Sequence, residues 1–437
     1  MDGKPVGAGD NPELLLEEDE GPLDVSALEP TAKERFLALF WRPEVFRVLR
    51  AVRPVLDLGD VVLLTRHDDV RAVLEHDREF HVEGCRIRKA SGDHDFVLGM
   101  QDDHRCPFRS LQDAEQAACQ SPPSYRDYQR WVMQHFQLED LTRLRTQMRA
   151  VAERAIGHGG YVDAIAGLIT HVAIDVCRDY YGVAVPREQE SDFANTTFAI
   201  SRWLFDPAKD SRFEGLGSEA SARLRRRIHR SIALAKGDPR DTVIRRLVQA
   251  DLPNAQICAI IFGMISGFVP TSTMAAGHIL QVLLSRADAY QAASAAARAE
   301  DDVRLERCLF EAMRFKPLSR EPLRVCQQPF TFAEGSRWKG SVKPADRVIA
   351  ITASAMMDET AYPNPRKFDP DRALPHALLY GAGLHRCIGA PIASLHAVEC
   401  LRALLRAGTL REIKCNGGMK MRCGPFPKHM LVGIEQL

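Results

Sequence analysis

The sequence predicts one large domain that is mainly α-helical and has a small β portion. Three observations lead to this expectation. Residues 139–250 follow a mostly helical pattern, a long apolar segment runs from about residue 255 to 284, and residues 322–352 alternate in polarity between turn signals. Apolar residues make up 45% of the 437 residues, which is enough for a large core. We therefore expect a single folded domain over residues 31–437.

The first thirty residues differ in composition from the rest. Residues 1–30 carry nine acidic residues and one lysine, with EEDEGP in the middle. Such a segment is too charged to bury a core, so we expect a flexible acidic leader over residues 1–30. No positively charged stretch precedes an apolar run there, so we expect neither a signal peptide nor a membrane anchor.

The elements that follow can be assigned in order. Residues 43–80 predict a helix, a Gly-Asp turn, a strand at VVLLT and a second short helix from Asp68. Residues 81–136 contain many glycines and prolines and predict irregular structure. Residues 139–250 predict three helical stretches, one of them written YVDAIAGLITHVAIDVCRDYYGV.

The long apolar segment 255–284 is long enough to span a bilayer. Pro270, His278 and a Ser/Thr cluster within it favour instead a helix through the middle of a soluble protein. A helix then follows over residues 301–317, where Leu305, Leu309 and Met313 recur at i, i+4. Short strands, a Pro-rich coil over residues 353–376, another helix and a hairpin from Met419 complete the chain.

Charge and cysteine content exclude several classes of protein. The formal net charge is zero, so no overall field favours nucleic acid or an anionic membrane. The eleven cysteines are scattered and contain no C-x-x-C pair, which argues against a disulfide framework and a Cys-rich zinc site. We expect most of them to be small buried residues in a reducing cytoplasm.

One cysteine has unusual surroundings, in the stretch LYGAGLHRCIGAP over residues 379–391. Gly381, Gly383 and Gly389 permit a tight backbone that brings main-chain N–H groups close to the sulfur of Cys387. Such donors and the N-terminus of the following helix stabilise a thiolate, the form that ligates metals. The simpler interpretation is a turn that contains an inert thiol.

The segment YGAGLHRCIG resembles the haem-binding loop F-G-x-G-x-H-x-C-x-G of the cytochrome P450 family. Tyr380 stands in place of the usual phenylalanine. The resemblance implies the cytochrome P450 fold around haem b (iron protoporphyrin IX), with Cys387 as the axial thiolate that favours O–O cleavage. It also implies that His385 hydrogen-bonds a haem propionate and that Tyr380, Gly381 and Gly389 surround the ligand.

Two further segments match the family in the expected order. Glu311 and Arg314 form E-x-x-R on one helix face, and the later PNPRKFDPDR supplies Arg372. By resemblance these three form a buried ion network that holds the coil before the cysteine loop. Arg324 occupies a position where the family often binds a propionate, whereas the alternative is a solvated strand charge.

The long apolar helix departs from the family. The family reads A-G-x-(D/E)-T-T, whereas this chain reads Ser266, Gly267, Phe268, Val269, Pro270, Thr271, so the acid and the first threonine are absent. Pro270 is also expected to kink the helix. Four interpretations stay open. Thr271 or Ser272 takes over proton delivery beside Gly267, the enzyme uses peroxide, it catalyses a rearrangement or dehydration, or it performs an unusual coupling or nitration.

The remaining site assignments are less specific. GMQDDHRCPFRSL over residues 99–111 resembles a propionate-binding segment, which makes His104 and Arg109 candidates, with Arg105 between them; the alternative is a solvated loop. An apolar substrate pocket is expected between the long helix and a variable segment before it. The predicted lining residues are Phe262, Ile265, Phe268, Val269, Phe198 and Leu204.

Together these features predict a cytoplasmic haem-thiolate monooxygenase over residues 31–437 that oxidises a lipophilic small molecule in secondary metabolism or lipid modification. A ferredoxin or flavodoxin-type donor is expected to dock near the cysteine, where Arg386 can meet an acidic partner. The alternatives are a peroxide-using enzyme, an isomerase or dehydratase, and a non-catalytic haem sensor or recruitment domain.

Overall fold

Helices make up most of the structure and enclose one hydrophobic core, as the sequence predicts. The structure is a computed structural model. It describes residues 22–25, 43–59, 61–82, 130, 132–136, 139–157, 160–205, 212–318, 321–372, 378–414, 418–423 and 426–436.

The α-helices of these residues are numbered in chain order. They are α1 Pro43–Val52, α2 His67–Glu75, α3 Asp140–Ile156, α4 His171–Val176, α5 Glu190–Leu204, α6 Arg212–Ala235, α7 Val243–Gln249, α8 Asn254–Ser285, α9 Ala287–Arg298, α10 Asp302–Phe315, α11 Thr352–Ala355 and α12 Ala390–Ala407. Wider π-helical turns, Ala164–Thr170 and Cys177–Tyr181, extend α4 at both ends.

The strands are short and form small sheets. They are β1 Val55–Asp57, β2 Val61–Leu64, β3 Phe80–His81, β4 Tyr161–Asp163, β5 Leu323–Cys326, β6 Phe330–Phe332, β7 Gly340–Val342, β8 Arg347–Ala350, β9 Thr409–Glu412, β10 Lys420–Cys423, β11 Phe426–His429 and β12 Leu431–Glu435. The largest sheet has the order β1-β2-β8-β5-β3, in which β2 and β8 are parallel; the others are β4-β12-β9, β6-β7 and the hairpin β10-β11.

Helix α8 passes through the middle of the structure. It is long and apolar enough to cross a membrane by length and composition alone, but most of it is buried inside the protein. Its helical conformation continues through Pro270 without interruption. Because proline lacks an N–H, one hydrogen bond of the i to i−4 ladder is missing at this point.

One local prediction needs revision. Residues Tyr161–Asp163 fall in a stretch that was predicted to be helical, but they form β4 and pair with β12 at the other end of the chain. Within the predicted leader the structure describes residues 22–25, where Leu23 is buried and its N–H donates to Asp192 Oδ1 at 2.9 Å. The boundary of the leader remains a prediction.

The helices that hold the cysteine loop belong to the common core. Helix α12 packs against α3 and α8, and α10 packs against α8 and α9. The cysteine loop enters this group directly before α12. The loop is therefore attached directly to a helix of the common core.

Candidate functional site

The cysteine loop follows the Pro-rich coil and ends at the N-terminus of α12. Gly381 and Gly383 have positive φ values of +73° and +70°, which explains the glycine at both positions. A Cβ atom on Gly383 would lie 2.2 Å from the carbonyl oxygen of Leu74 at the end of α2. Glycine therefore lets the loop approach α2 closely.

The loop surrounds the sulfur of Cys387 with main-chain donors. The N–H groups of Gly389 and Ala390 both interact with this sulfur, and the Ala390 N–H also donates to the carbonyl oxygen of Cys387 at 3.4 Å. Desolvation raises the pKa of the Cys387 thiol, while these two donors and the Arg386 guanidinium oppose the rise. Cys387 is exposed, whereas the other cysteines with described side chains are buried, as predicted.

Tyr380 contacts the loop through both its main chain and its side chain. Its carbonyl oxygen accepts the N–H of Cys387 at 2.9 Å. Its phenolic oxygen accepts the hydroxyl of Ser394, on α12, at 2.9 Å. Burial raises the pKa of Tyr380 to about 12, so the phenol is neutral at physiological pH.

The structure joins the three residues of the predicted ion network. The guanidinium of Arg314 binds both carboxylate oxygens of Glu311 at 2.7 and 2.9 Å, and both side chains are fully buried. Nε of Arg372 donates to Glu311 at 3.0 Å, and its other nitrogens donate to the carbonyls of Pro363, Asn364 and Lys367. The network therefore fixes the coil that leads to the cysteine loop.

Arg324 lies buried on β5, and its only described hydrogen bond goes to the carbonyl of Leu323. No carboxylate among the described residues forms an ion pair with it, and burial lowers the pKa of Arg324 to about 10. A buried cation without an anion is costly. This position suits an anionic ligand group.

Helix α8 has one accessible stripe. Gly263, Gly267 and Thr271 are partly accessible and recur every four residues, whereas almost all their neighbours on the helix are buried. The hydroxyl of Thr271 donates to the carbonyl of Gly267. Ser272, about 100° further round the helix, is buried, and its hydroxyl has no hydrogen-bond partner in the described part of the chain.

The structure places the predicted pocket residues of α8 in the core. Phe262, Ile265, Phe268 and Val269 are all buried. The Phe268 ring packs edge-on against His396 of α12 and Tyr181. These side chains therefore hold α8 against its neighbours, and the accessible stripe consists of the two glycines and Thr271. The i, i+4 spacing of Gly263 and Gly267 is a sequence signal for this face that hydrophobicity alone does not reveal.

The predicted pocket residues of α5 lie elsewhere. Phe198 is buried edge-on against Phe426 of the C-terminal hairpin, and the Arg422 guanidinium lies over its ring at 4.7 Å. Leu204 is half-buried at the last residue of α5. His104, Arg105 and Arg109 lie outside the described residues.

His385 belongs to a short 3₁₀ turn, Gly383–His385, two residues before the cysteine. Beside the loop a cavity of about 1110 Å³ opens at the surface. Residues 378–383 and 386–388 line it together with the first turns of α12 and charged side chains of α2, α3 and α10, including Arg71, Arg145 and Glu306. Its charges are mixed in sign.

The residues present fit a haem group. Among the described residues there is no group of three or more histidine, cysteine or acidic side chains that could hold a metal ion. A lone cysteine with two N–H donors suits a metal whose other ligands come from a cofactor. The buried Arg324 guanidinium suits a cofactor carboxylate.

Comparison with known proteins supports this fit. The family model for cytochrome P450 matches residues 304–414. Cyclomarin C epoxidase of Salinispora arenicola is 25% identical over 295 residues, which are 65% of this chain and 71% of that protein. Erythromycin C-12 hydroxylase of Saccharopolyspora erythraea is 27% identical over 296 residues, which are 65% of this chain and 70% of that protein. Vitamin D(3) 25-hydroxylase of Pseudonocardia autotrophica is 24% identical over 398 residues, 84% and 88% of the chains.

Solved structures share the fold. The open form of cytochrome P450 EryK from S. erythraea superposes with a TM-score of 0.73 and 20% identity over 94% of this chain and 98% of that one. The ligand-free cytochrome P450 TbtJ1 superposes with a TM-score of 0.72 and is 20% identical, covering 91% of this chain and 98% of that one. The fold and these relatives define the chain as a haem-dependent monooxygenase. The family-model match, the relatives and the shared fold together support its recognition as a bacterial-type cytochrome P450.

Proposed function

We propose that Cys387 is the thiolate ligand of haem b in a monooxygenase that hydroxylates or epoxidises a lipophilic small molecule of secondary metabolism. The observation that carries the proposal is the pair of N–H groups, from Gly389 and Ala390, that donate to the Cys387 sulfur at the N-terminus of α12. Donors in this position stabilise sulfur in its anionic form, which is the form that binds iron.

Each remaining residue has a separate task. The haem supplies oxygen activation, and the protein holds the group and controls access to it. The Arg324 guanidinium and the His385 imidazole bind propionates. Thr271 carries a hydroxyl on the accessible stripe of α8. Because this hydroxyl donates to Gly267, its oxygen retains lone pairs that can accept a hydrogen bond from a water molecule and position that water as the proton source. We assign the role of proton delivery to Thr271 and not to the buried Ser272.

The substrate class follows from the apolar surroundings of α8 and from the relatives, which act on cyclomarin, erythromycin and vitamin D3 by their names. A ferredoxin or flavodoxin-type protein is the proposed electron donor. It would dock in the concavity beside the cysteine loop, where the exposed Arg386 can meet an acidic surface. The cytoplasm is the proposed location.

A carbon monoxide difference spectrum of the reduced protein tests the ligand. The wild type should show the red-shifted Soret band of thiolate ligation, and Cys387→Ala should lose it. Cys308→Ala removes a buried thiol of α10 and is the matched control, which should keep the band. A red-shifted band in Cys387→Ala would contradict the proposal.

Peroxide is the second candidate oxidant. Val269 and Pro270 cannot deliver protons, and hydrogen peroxide already contains the two protons and two electrons that dioxygen would otherwise need from a proton relay and a reductase. Turnover with reductase and NAD(P)H should exceed turnover with hydrogen peroxide if the enzyme is a monooxygenase. The reverse ranking would identify a peroxygenase, and tight ligand binding without turnover under either condition would identify a sensor.

A further inference from the structure

Tyr380 holds the cysteine loop at two points. Its carbonyl accepts the Cys387 N–H, and its phenol accepts the Ser394 hydroxyl, each at 2.9 Å. Ser394 lies one helical turn beyond Ala390, so the two residues share a face of α12. The N–H of Ala390 donates to the carbonyl oxygen of Cys387 at 3.4 Å and also interacts with its sulfur. Tyr380, Cys387 and the first turn of α12 are therefore linked in a closed ring of hydrogen bonds.

We propose that Tyr380 is a positioning residue, and that its hydrogen bond with Ser394 fixes the distance between the cysteine loop and the first turn of α12. This inference rests on the proposed role of Cys387 as the haem ligand. A loop that moves away from α12 pulls the Cys387 N–H with the Tyr380 carbonyl, while the donors from Gly389 and Ala390 stay with the helix. The bond with Ser394 opposes this movement.

The phenol acts on the loop and not on the sulfur. The described donors to the Cys387 sulfur are main-chain N–H groups, and the described hydrogen-bond partner of the phenol is Ser394. The Tyr380 ring also packs edge-on against Phe310 of α10, with 6.3 Å between ring centroids. Phenylalanine would keep this ring contact and lose only the hydroxyl, so Tyr380→Phe isolates the hydrogen bond.

The test compares Tyr380→Phe, Ser394→Ala, the double variant and Ser394→Thr, which keeps a hydroxyl. The first measurement is the rate of haem transfer from the holoenzyme to apomyoglobin. Each single variant should lose haem about fivefold faster, the factor for one hydrogen bond of about 1 kcal/mol. The double variant should lose haem no faster than either single variant, and Ser394→Thr should behave like the wild type.

The second measurement is the reduction potential of each variant. Tyr380→Phe and Ser394→Ala should give the same potential as each other if the phenol only positions the loop. A shift in Tyr380→Phe that Ser394→Ala does not share would overturn the inference, because the hydroxyl would then act on the sulfur. Additive effects on haem loss, or no effect in either single variant, would overturn it as well.

Hydrogen exchange separates this inference from the proposed function. The amides of residues 381–389 should exchange faster in Tyr380→Phe and Ser394→Ala than in wild type, whichever residue binds iron. If the wild type lacked the thiolate spectrum and these amides still responded, the ligand assignment would be wrong and the hydrogen-bonded ring would remain. Unchanged exchange with an intact thiolate spectrum would reject the ring alone.

Discussion

The guanidinium of Arg149 on α3 binds both carboxylate oxygens of Glu399 on α12, at 2.8 and 3.2 Å across 250 residues of sequence. Glu399 is completely buried, whereas about a third of the Arg149 side chain is accessible. Asp302 at the start of α10 contacts the same arginine at 3.5 Å. This contact ties together the three helices beside the cysteine loop.

Removal of Arg149 should destabilise the protein more than removal of the whole pair. Arg149→Met leaves a buried carboxylate without its main partner and should cost about 3 kcal/mol of unfolding free energy. The double variant Arg149→Met, Glu399→Leu should recover much of this loss, because an apolar pair needs no compensation. Urea denaturation checks the order, and a double variant less stable than the single one would contradict the argument.

Arg372 should matter for haem retention. Arg372→Met removes the hydrogen bonds to the carbonyls of Pro363, Asn364 and Lys367 that hold the coil. It also removes one of the two arginines that pair with Glu311. We expect a lower haem-to-protein ratio after purification and faster proteolysis between residues 363 and 372. Arg366→Ala alters an exposed side chain of the same coil and should change neither measurement.

Two glycines of the cysteine loop should respond differently to alanine. Both have positive φ, which costs alanine about 1 kcal/mol. A Cβ on Gly381 meets its nearest atom at an ordinary 3.9 Å, whereas a Cβ on Gly383 would lie within 3 Å of the main chain of both Leu74 and Glu75. Gly383→Ala should therefore lower stability by about 3 kcal/mol and Gly381→Ala by about 1. Equal losses in thermal or urea denaturation would refute the close approach.

His396 should make stability depend on pH. Burial lowers its pKa from 6.5 to about 4, so the folded protein keeps a neutral imidazole where the unfolded chain binds a proton. Because the unfolded state binds more protons between these values, stability falls as pH decreases through this window. The loss between pH 7 and pH 5 should be about 2 kcal/mol. His396→Gln lacks the titrating ring, and urea denaturation at several pH values should show a correspondingly smaller dependence.

Thr271 should determine how much product is formed for each NAD(P)H oxidised. Thr271→Val keeps the shape of the side chain and removes the hydroxyl, so the yield of product per NAD(P)H should fall by about tenfold or more while hydrogen peroxide release rises. Ser272→Ala is the matched control and should leave the yield unchanged. A loss in Ser272→Ala with Thr271→Val intact would reverse the assignment.

Local patterns predicted most of the fold. Helix α10 has strong apolar periodicity and α8 is a long apolar segment, and the structure confirms both, as it does the helix α12 after the cysteine loop. The strand β4 was missed because its pairing partner β12 lies about 270 residues away, and no local signal reports such a pairing. Composition correctly predicted a buried α8. It could not show which face remained accessible, and the assignment of the buried Phe262, Ile265, Phe268 and Val269 to the substrate pocket stays a prediction.

The cysteine loop was predicted by its glycines, but the reason for each glycine emerged only from the structure. Gly383 faces the main chain of Leu74, a contact between parts of the sequence about 300 residues apart. The hydrogen bond between Tyr380 and Ser394 is equally hidden, because tyrosine and serine fourteen residues apart have no characteristic spacing. Resemblance identified the position of Tyr380 and could not predict what its hydroxyl contacts.

The accessible stripe of α8 offers a position at which substitution can change the size of the substrate that the enzyme accepts. A Cβ atom on Gly267 would meet no described atom within 4 Å. Side chains of increasing size could therefore be introduced there without displacing the backbone, and each would take up free volume beside Thr271. A series of substitutions at Gly267 could thus lower the size limit for substrates step by step, while the phenylalanines that hold the helix in place stay unchanged.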